Sequence, residues 1–277
     1  MSHTMNPTTI TSRGGEPGRP FMTLRGLHKQ YGRGAAILED LSMDVGAGDF
    51  VSLIGPSGCG KSTLLKLVAG LVSPTSGRIE VEGMTPANAR ELMSFIFQEA
   101  TLLPWRTVLR NVELGLELER SLDRGRRRAK AEELLRLVGL GDVASHYPRQ
   151  LSGGMRMRVS IARALATRPR LLLMDEPFGA LDEMTRDRLN EELLRLRAEH
   201  GWTALFVTHS VAEAVFLSTR VVVLRAKPGR VHREVKVPFG FPRKASLRSD
   251  PAFLALVGEV SGALRELHGP GDGGTAA

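Results

Sequence analysis

Apolar residues along this chain fall into three regimes, and each predicts a different kind of structure. From Phe21 onward, short apolar runs alternate with polar turns. Phe21-Met22-Thr23-Leu24, Ile37-Leu38 and Leu41-Ser42-Met43-Asp44-Val45 flank the turn residues Gly32-Arg33-Gly34. Runs of this length bounded by glycine predict an antiparallel β layer. Residues 49–54 then read as a buried strand, 62–69 as an apolar helix, 78–81 as a strand, and 94–97 as a further strand ending at Gln98. The second regime has a helical period. Val108, Val112 and Leu116 line one face of a helix over 108–118, and Leu134, Leu135 and Val138 line one over 126–138, with charges on the other faces. A third helix is predicted over 153–167. In the third regime, Leu171-Leu172-Leu173-Met174 is a continuous apolar run, suited to a strand buried on both faces. Helices over 184–199 and 211–217 alternate with strands over 204–207 and 221–224, which predicts a mostly parallel sheet. The middle regime therefore reads as a helical insert, about 99–167, between two halves of one α/β sheet.

The ends have a different character. Residues 1–20 are rich in Thr, Ser, Gly and Pro and lack periodicity, which predicts a disordered tail. From Ala226 the chain turns basic, with Lys227, Arg230, Arg233, Lys236, Arg243, Lys244 and Arg248. Asp250-Pro251 opens a final amphipathic helix, so 226–268 is expected to be a C-terminal extension and 269–277 a loose end.

Composition narrows the class. The 277 residues suffice for one large α/β domain or two small ones. Hydrophobic content of 42% with 25% charged residues is that of a soluble globular protein. No apolar run approaches the roughly 18 residues that would span a bilayer, and no secretory apolar segment stands near the N-terminus. A cytosolic protein is expected, unless a partner holds it at a membrane. The single cysteine, Cys59, excludes an internal disulfide and a cysteine-based zinc site. A net charge of +8 favours acidic partners such as nucleotide, nucleic acid or anionic lipid.

The candidate chemistry begins between the 49–54 strand and the helix after it. Gly55-Pro56-Ser57-Gly58-Cys59-Gly60-Lys61-Ser62-Thr63 fits G-x-x-x-x-G-K-[ST], a phosphate-cradling loop. Its glycines let backbone N–H groups turn inward around phosphate oxygens, and the helix N-terminus adds the positive end of its dipole. Lys61 would reach the β- and γ-phosphates and the Ser62 hydroxyl would ligate Mg²⁺. Leu171-Leu172-Leu173-Met174-Asp175-Glu176 is a second nucleotide signal, an apolar strand ending in acid. Asp175 would hold Mg²⁺ opposite Ser62, and Glu176 is placed to polarise an attacking water. In Leu151-Ser152-Gly153-Gly154-Met155-Arg156, Ser152 reads as a helix N-cap with two glycines after it, a second anion site at a helix N-terminus. Cys59 admits two readings, a space-filling residue or a thiol whose pKa the helix end lowers.

Six elements in this order resemble the ATP-binding subunits of ABC transporters. They are Tyr31 before the first glycine turn, 55–63, Gln98 at a strand end, 151–156 continuing through Ile161-Ala162-Arg163-Ala164, 171–176, and Ala180-Leu181-Asp182 with His209. The resemblance covers about 21–224. It implies a P-loop NTPase fold: a RecA-like, mostly parallel sheet with an antiparallel β layer and the helical insert, the ATPase domain spanning 21–225. It further implies that Tyr31 stacks on adenine, and that Gln98 touches Mg²⁺ and the attacking water. Ser152, Gly153 and Gly154 would bind the γ-phosphate of ATP held by a second copy, with Asp182 at the seam and His209 on the γ-phosphate. One departure is Met157, where many relatives have Gln; Met cannot donate the amide's hydrogen bonds.

Two function classes follow from the resemblance. One is the motor subunit of a membrane importer. The other is a soluble ABC ATPase acting on nucleic acid or ribosomes, a class that typically carries a coiled-coil insert, zinc cysteines or two cassettes in one chain. None of these is present. The importer class implies permease subunits on separate polypeptides, a second ATPase subunit, expected to be identical, and indirectly a substrate-binding protein outside the cell. It places the chain on the cytoplasmic face of the membrane. Nucleic acid is not expected, because the basic cluster Arg124, Arg126, Arg127, Arg128 and Lys130 lacks interleaved aromatics; a solvated helix face is the leading reading of it, with anionic lipid second. Residues 98–108 and the ending Pro242-Arg243 with Asp250-Pro251-Ala252-Phe253 resemble the nitrate, sulfonate and taurine importer subfamily. Leu102, Leu103 and Trp105 either pack the helical insert or form a groove for a short permease helix.

Overall fold

The computed structural model describes residues 19–117 and 122–267. The expected 269–277 end, all but the last two residues of the expected N-terminal tail, and the end of the helix expected over 108–118 lie outside these. In chain order the elements are β1 (Met22–Gln30), β2 (Ala36–Val45), β3 (Phe50–Ile54), α1 (Lys61–Val68), β4 (Ser76–Val81) and β5 (Met93–Ile96). Three helices follow, α2 (Val108–Leu116), α3 (Arg124–Leu137) and α4 (Gly153–Ala166). Then come β6 (Leu171–Asp175), α5 (Glu183–His200), β7 (Thr203–Val207), α6 (Val211–Leu217), β8 (Arg220–Arg225), β9 (Arg230–Lys236) and α7 (Pro251–Glu266).

Two sheets form. The antiparallel one has the order β2-β1-β4; the larger has the order β5-β6-β7-β3-β8-β9 and is parallel except for the β8–β9 pair. The larger sheet is buried on both faces, and its side chains divide between two cores with a period of two. Phe50, Ile54, Leu172, Met174, Ala204, Phe206, Val221 and Val223 enter one core, with the helical insert, α5, α6 and α7. Val51, Leu53, Leu171, Leu173, Leu205, Val207, Val222 and Leu224 enter the other, with α1 and the antiparallel sheet. That is why these strands read as unbroken apolar runs rather than as alternating ones. The helices α2, α3 and α4 leave between β5 and β6 and pack on one another; Met157 is buried among them, so the apolar residue at that position serves packing.

The sheet continues past the strand expected over 221–224. β9 pairs antiparallel with β8, and the expected boundary at 225 falls inside this hairpin. Its alternation of Val231 and Val235 with charged residues was masked by the basic run around it. Several of those basic residues are committed to internal partners: Arg230 pairs with Glu39, Arg233 with Glu266 and Arg248 with Asp187.

Arg243 is buried with no carboxylate among its hydrogen-bond partners. Its guanidinium donates to the carbonyls of Val215 at 3.0 Å, Phe216 at 2.7 Å, Phe239 at 2.7 Å and Gly240 at 3.4 Å. The first two belong to the last turn of α6, whose carbonyls have no intrahelical partner and carry the negative end of the dipole. The guanidinium also lies 4.0 Å from the centroid of the Phe241 ring, with Arg197 4.2 Å from the same ring. Burial pushes the Arg243 pKa down to about 10, which leaves it charged at neutral pH. Phe253 of α7 meets Phe216 and Phe239 above this clasp. An Arg243→Met substitution should cost roughly 2–4 kcal/mol, because it orphans several buried carbonyls. The thermal midpoint, followed by calorimetry, should fall by about 5–10 °C. Arg243→Lys should fall between the two, since one ammonium cannot reach all four carbonyls.

Candidate active site

Six of the seven α-helices among the described residues begin on a side-chain cap: Thr107, Asp123, Ser152, Asp182, Ser210 and Asp250. The exception is α1. Its N-cap is Gly60, in the left-handed conformation at φ 93°, and no side chain accepts from its first N–H groups. Those donors are left for a ligand, and the dipole end is positive there. The glycine is required twice over, because a Cβ at this φ would be strained and would stand 2.6 Å from Leu38 Cδ2 of β2. Behind the loop, Gly229 of the β8–β9 hairpin exchanges hydrogen bonds with β2: its N–H donates to the Ile37 carbonyl at 2.8 Å, and its carbonyl accepts from the Glu39 N–H at 3.0 Å. A Cβ on Gly229 would collide with the Cys59 carbonyl. The loop is thus braced by the antiparallel sheet and by the segment after residue 225.

Lys61 Nζ curls over the loop, donating to the carbonyls of Gly55 at 2.7 Å and Pro56 at 3.0 Å. Ser57 and Gly58 are exposed at its crest, and Thr63 is half-buried on the first turn of α1. Cys59 is fully buried, and burial pushes its thiol pKa up against the opposing pull of Lys61. Of the two readings of Cys59, the space-filling one fits: the side chain packs in the core, and its desolvation outweighs the opposing charge.

The parallel strands of the sheet deliver their C-terminal ends to one edge, the position where open α/β sheets bind ligands. Ser62, on α1 after β3, donates from Oγ to Oδ1 of Asp175, the last residue of β6, at 2.9 Å. Burial raises the Asp175 pKa; the Ser62 bond opposes this and the neighbouring Glu176 charge adds to it. A hydroxyl and a carboxylate in contact form an all-oxygen donor pair. Among the described residues no cluster of three or more His, Cys, Asp or Glu could hold a metal unaided. Both features fit Mg²⁺, which takes one or two protein oxygens and completes its shell with phosphate and water. Glu176 leaves the strand in the left-handed region at φ 48°, an unusual conformation for a side-chain-bearing residue. Its N–H donates to the Val207 carbonyl at 3.0 Å, and its Oε2 lies 3.4 Å from Nδ1 of His209, which follows β7.

Six expected residues stand apart from this cluster. Gln98 is exposed two residues beyond β5, with no hydrogen-bond partner among the described residues. Tyr31 is exposed at the β1–β2 turn, and Lys29 Nζ lies 4.5 Å from its ring centroid. Ser152 caps α4, its Oγ accepting from the Met155 N–H at 3.2 Å, and Ser152 and Gly153 are exposed. Gly154 abuts Ala180 and Leu181. Asp182 caps α5, accepting from the Thr185 N–H at 2.9 Å, and this bond holds its carboxyl below the usual range. No hydrogen bond among the described residues joins 152–154 to 55–63 in the same chain.

A cleft of about 460 Å³ opens where the insert meets the sheet, lined by Ser94 and Phe95 of β5, Leu114 and Gly115 of α2, and Arg163 and Ala164 of α4. Trp105 is 72% exposed, so it does not pack the insert, while Leu102 lies half-buried against the core. The bracing residues Leu38 and Gly229, and the buried pair Thr208 and Glu213 behind His209, escaped the sequence reading. Ser210-Val211-Ala212-Glu213 carries the spacing of a capping box and was a usable signal for the pair.

Comparison with known proteins places this geometry. A family model described as ABC transporter matches residues 38–179. The taurine import ATP-binding protein TauB of Yersinia pestis biovar Antiqua is 42% identical over 248 residues, covering 87% of this chain and 96% of the relative. The aliphatic sulfonates import ATP-binding protein SsuB of Bacillus licheniformis is 43% identical over 238 residues, covering 85% and 91%. The nitrate import ATP-binding protein NrtC of Synechococcus elongatus is 46% identical over 232 residues, covering 83% of this chain and 35% of that longer protein. Among solved structures, a dimeric ATP-binding cassette in a post-hydrolysis state with ADP and phosphate superposes with a TM-score of 0.73 at 35% identity, over 79% of this chain and 100% of that one. With the phosphate loop, the acid-ended strand and the glycine-led N-terminus of α4 on one scaffold, the chain belongs to the ABC transporter family as an ATP-binding cassette.

Proposed function

We propose that this chain is the ATP-hydrolysing motor subunit of an importer, that two copies close on ATP, and that closure drives a separate membrane permease. The observation that carries the reading is the division of the site. One edge of the chain holds a bare helix N-terminus beside Ser62 and Asp175. A second, exposed helix N-terminus at Ser152–Gly154 makes no hydrogen bond to it in the same chain. Two copies facing each other give each γ-phosphate both sets of donors. The dimeric, ADP- and phosphate-bound neighbour is consistent with this arrangement.

In this reading Lys61 exchanges the loop carbonyls for β- and γ-phosphate oxygens, the N–H groups of 58–63 surround them, and Tyr31 offers a ring to adenine. Ser62 and Asp175 would hold Mg²⁺, with Gln98 on its other side. When bound there, Mg²⁺ neutralises charge on the β- and γ-phosphates. Glu176 accepts a proton from the water whose oxygen attacks the γ-phosphorus as the bond to the leaving ADP oxygen breaks. His209, 3.4 Å from Glu176, orients that carboxylate and meets the γ-phosphate. Ser152, Gly153 and Gly154 of the second copy close the site with Asp182 at the seam, and exclude bulk water.

The ATPase unit is taken as 21–225, with 226–268 an appended segment whose Gly229 nonetheless braces the phosphate loop. Among the described residues no helix is long and apolar enough to cross a membrane, which suits a chain docked from the cytoplasmic side onto permease subunits. The cleft between β5, α2 and α4 has the form of a seat for a short permease helix, with Trp105 as an anchor beside it. The names of the relatives point to a sulfonate, taurine or nitrate-like small anion as cargo, delivered to the permease by a substrate-binding protein.

Glu176→Gln should lower ATP hydrolysis by at least about 100-fold and trap a dimer at saturating Mg-ATP, measured by light scattering. A variant that stays monomeric there, with and without permease, would remove ATP-driven closure from the scheme. Trp105→Ala and Leu114→Glu should each cut co-purification with the permease by more than about tenfold. Trp105→Ala should leave the thermal midpoint within about 2 °C, as its side chain is largely exposed.

A further inference from the structure

Behind His209 lies a buried polar cluster that hydrolysis does not use directly. Glu213 is 5% exposed and Thr208 3%. Thr208 Oγ1 donates to Glu213 Oε2 at 2.5 Å and accepts from the Ser210 N–H at 3.0 Å, while the Thr208 N–H reaches the Leu53 carbonyl of β3 at 3.4 Å. In a capping box the carboxylate three residues into the helix would turn back to the N-cap N–H. Only half of that box forms here. The Glu213 N–H donates to Ser210 Oγ at 3.3 Å, but the Ser210 N–H goes to Thr208 and the carboxylate is turned inward. Burying a carboxyl is costly where a solvated cap would not be. Burial drives the Glu213 pKa up, against the Thr208 hydrogen bond and the charge of Arg186.

The cluster is also incomplete. The Asn190 side chain hydrogen-bonds toward the Glu213 carboxyl and lowers its pKa, but no contact of good geometry satisfies Glu213 Oε1 or either polar atom of the fully buried Asn190 side chain. Native interiors pair nearly all such atoms. Asn190 and Arg186 both act on the Glu213 carboxyl, as does His209 from the other side. Asn190 and Arg186 are one turn apart on α5. Arg186 Nη2 donates to the Leu181 carbonyl at 3.0 Å, beside Asp182, where α5 begins. From the 180–182 loop, Arg186 of α5 thus acts by its charge on Glu213, and Glu213 is hydrogen-bonded to Thr208 beside His209.

We propose that Glu213 is a positioning residue that sets His209 through Thr208 and senses α5 through Asn190, so that docking of the 180–182 loop on a second copy fixes the histidine. The inference rests on the ATPase reading above. In the closed dimer the contact between the Asn190 amide and the Glu213 carboxyl tightens, and the histidine loop is held on both sides.

The test uses the full chain with Thr208→Val, Thr208→Ser and Glu213→Gln, alone and combined with His209→Ala. Thr208→Val and Glu213→Gln should lower kcat for ATP about 10- to 100-fold with KM within about twofold, and Thr208→Ser should recover most of the loss. In the His209→Ala background neither should cost more than about a further twofold, because both act through the histidine. Full additivity, or an unchanged kcat, would overturn the proposal. A loss matched by a fall in folded fraction would do the same. The ring resonances of His209, followed by NMR, should move in Thr208→Val while those of His28 and His232 stay in place. That measurement needs no turnover. A wild-type chain without hydrolysis would sink the ATPase reading alone, and an unmoved His209 ring would sink the positioning role alone.

Discussion

The bare N-terminus of α1 is the constraint on which the rest of the structure depends. A helix end that keeps its first N–H groups free forgoes the stabilisation of roughly 1 kcal/mol that a capping side chain supplies. The loop before it must also turn through left-handed backbone, at Gly58 and Gly60. Such a loop holds its shape only if its surroundings over-determine it. Here they do: Leu38 of β2 fills the space under Gly60, Gly229 bonds β2 on the same side, and Cys59 is sunk into the core. The antiparallel sheet and the β8–β9 hairpin are therefore the back wall of the nucleotide loop, not an accessory to it.

The parallel sheet performs the second task, convergence. Ser62, Asp175, Glu176 and His209 come from segments far apart in sequence, but each follows a strand running in the same direction, so all arrive at one edge. The strict division of strand side chains between two cores holds that edge in place. A one-residue slip in β6 would exchange Leu171 and Leu173 for Leu172 and Met174 between the cores and carry Asp175 to the wrong face. Catalytic register is thus protected by hydrophobic burial on both sides of the sheet.

Much of this was legible in the sequence because burial and chemistry left separate marks. Unbroken apolar runs marked β3, β6, β7 and β8, and helical periodicity marked α2 and α3. The glycines of 55–60 and the acid at Asp175 marked the ligand edge. What was not legible depended on partners far away in the chain. β9 hid within a basic run because Arg230 and Arg233 face Glu39 and Glu266, partners that sequence order does not suggest. Arg243 stood in the basic run with no sign of its partners; only the meeting of α6 with the chain beyond β9 makes it an internal cap. Cys59 left two readings open in the sequence, because its position at a helix N-terminus allowed activation; burial in the core, where desolvation dominates, decides for space filling.

A site split between two copies has an energetic consequence that a complete site lacks. In the closed dimer proposed above, each Ser152–Gly154 helix end, on a chain of net charge +8, brings the positive end of its dipole toward the other copy's site, so an anion there favours the approach. ATP bound at the α1 end supplies that charge where both helix ends converge. Loss of the γ-phosphate withdraws it again. In that scheme the association follows the state of the nucleotide rather than the amount of surface buried. In the positioning role proposed for Glu213, the buried cluster under His209 follows the same logic, making the histidine loop depend on the second copy for its final position.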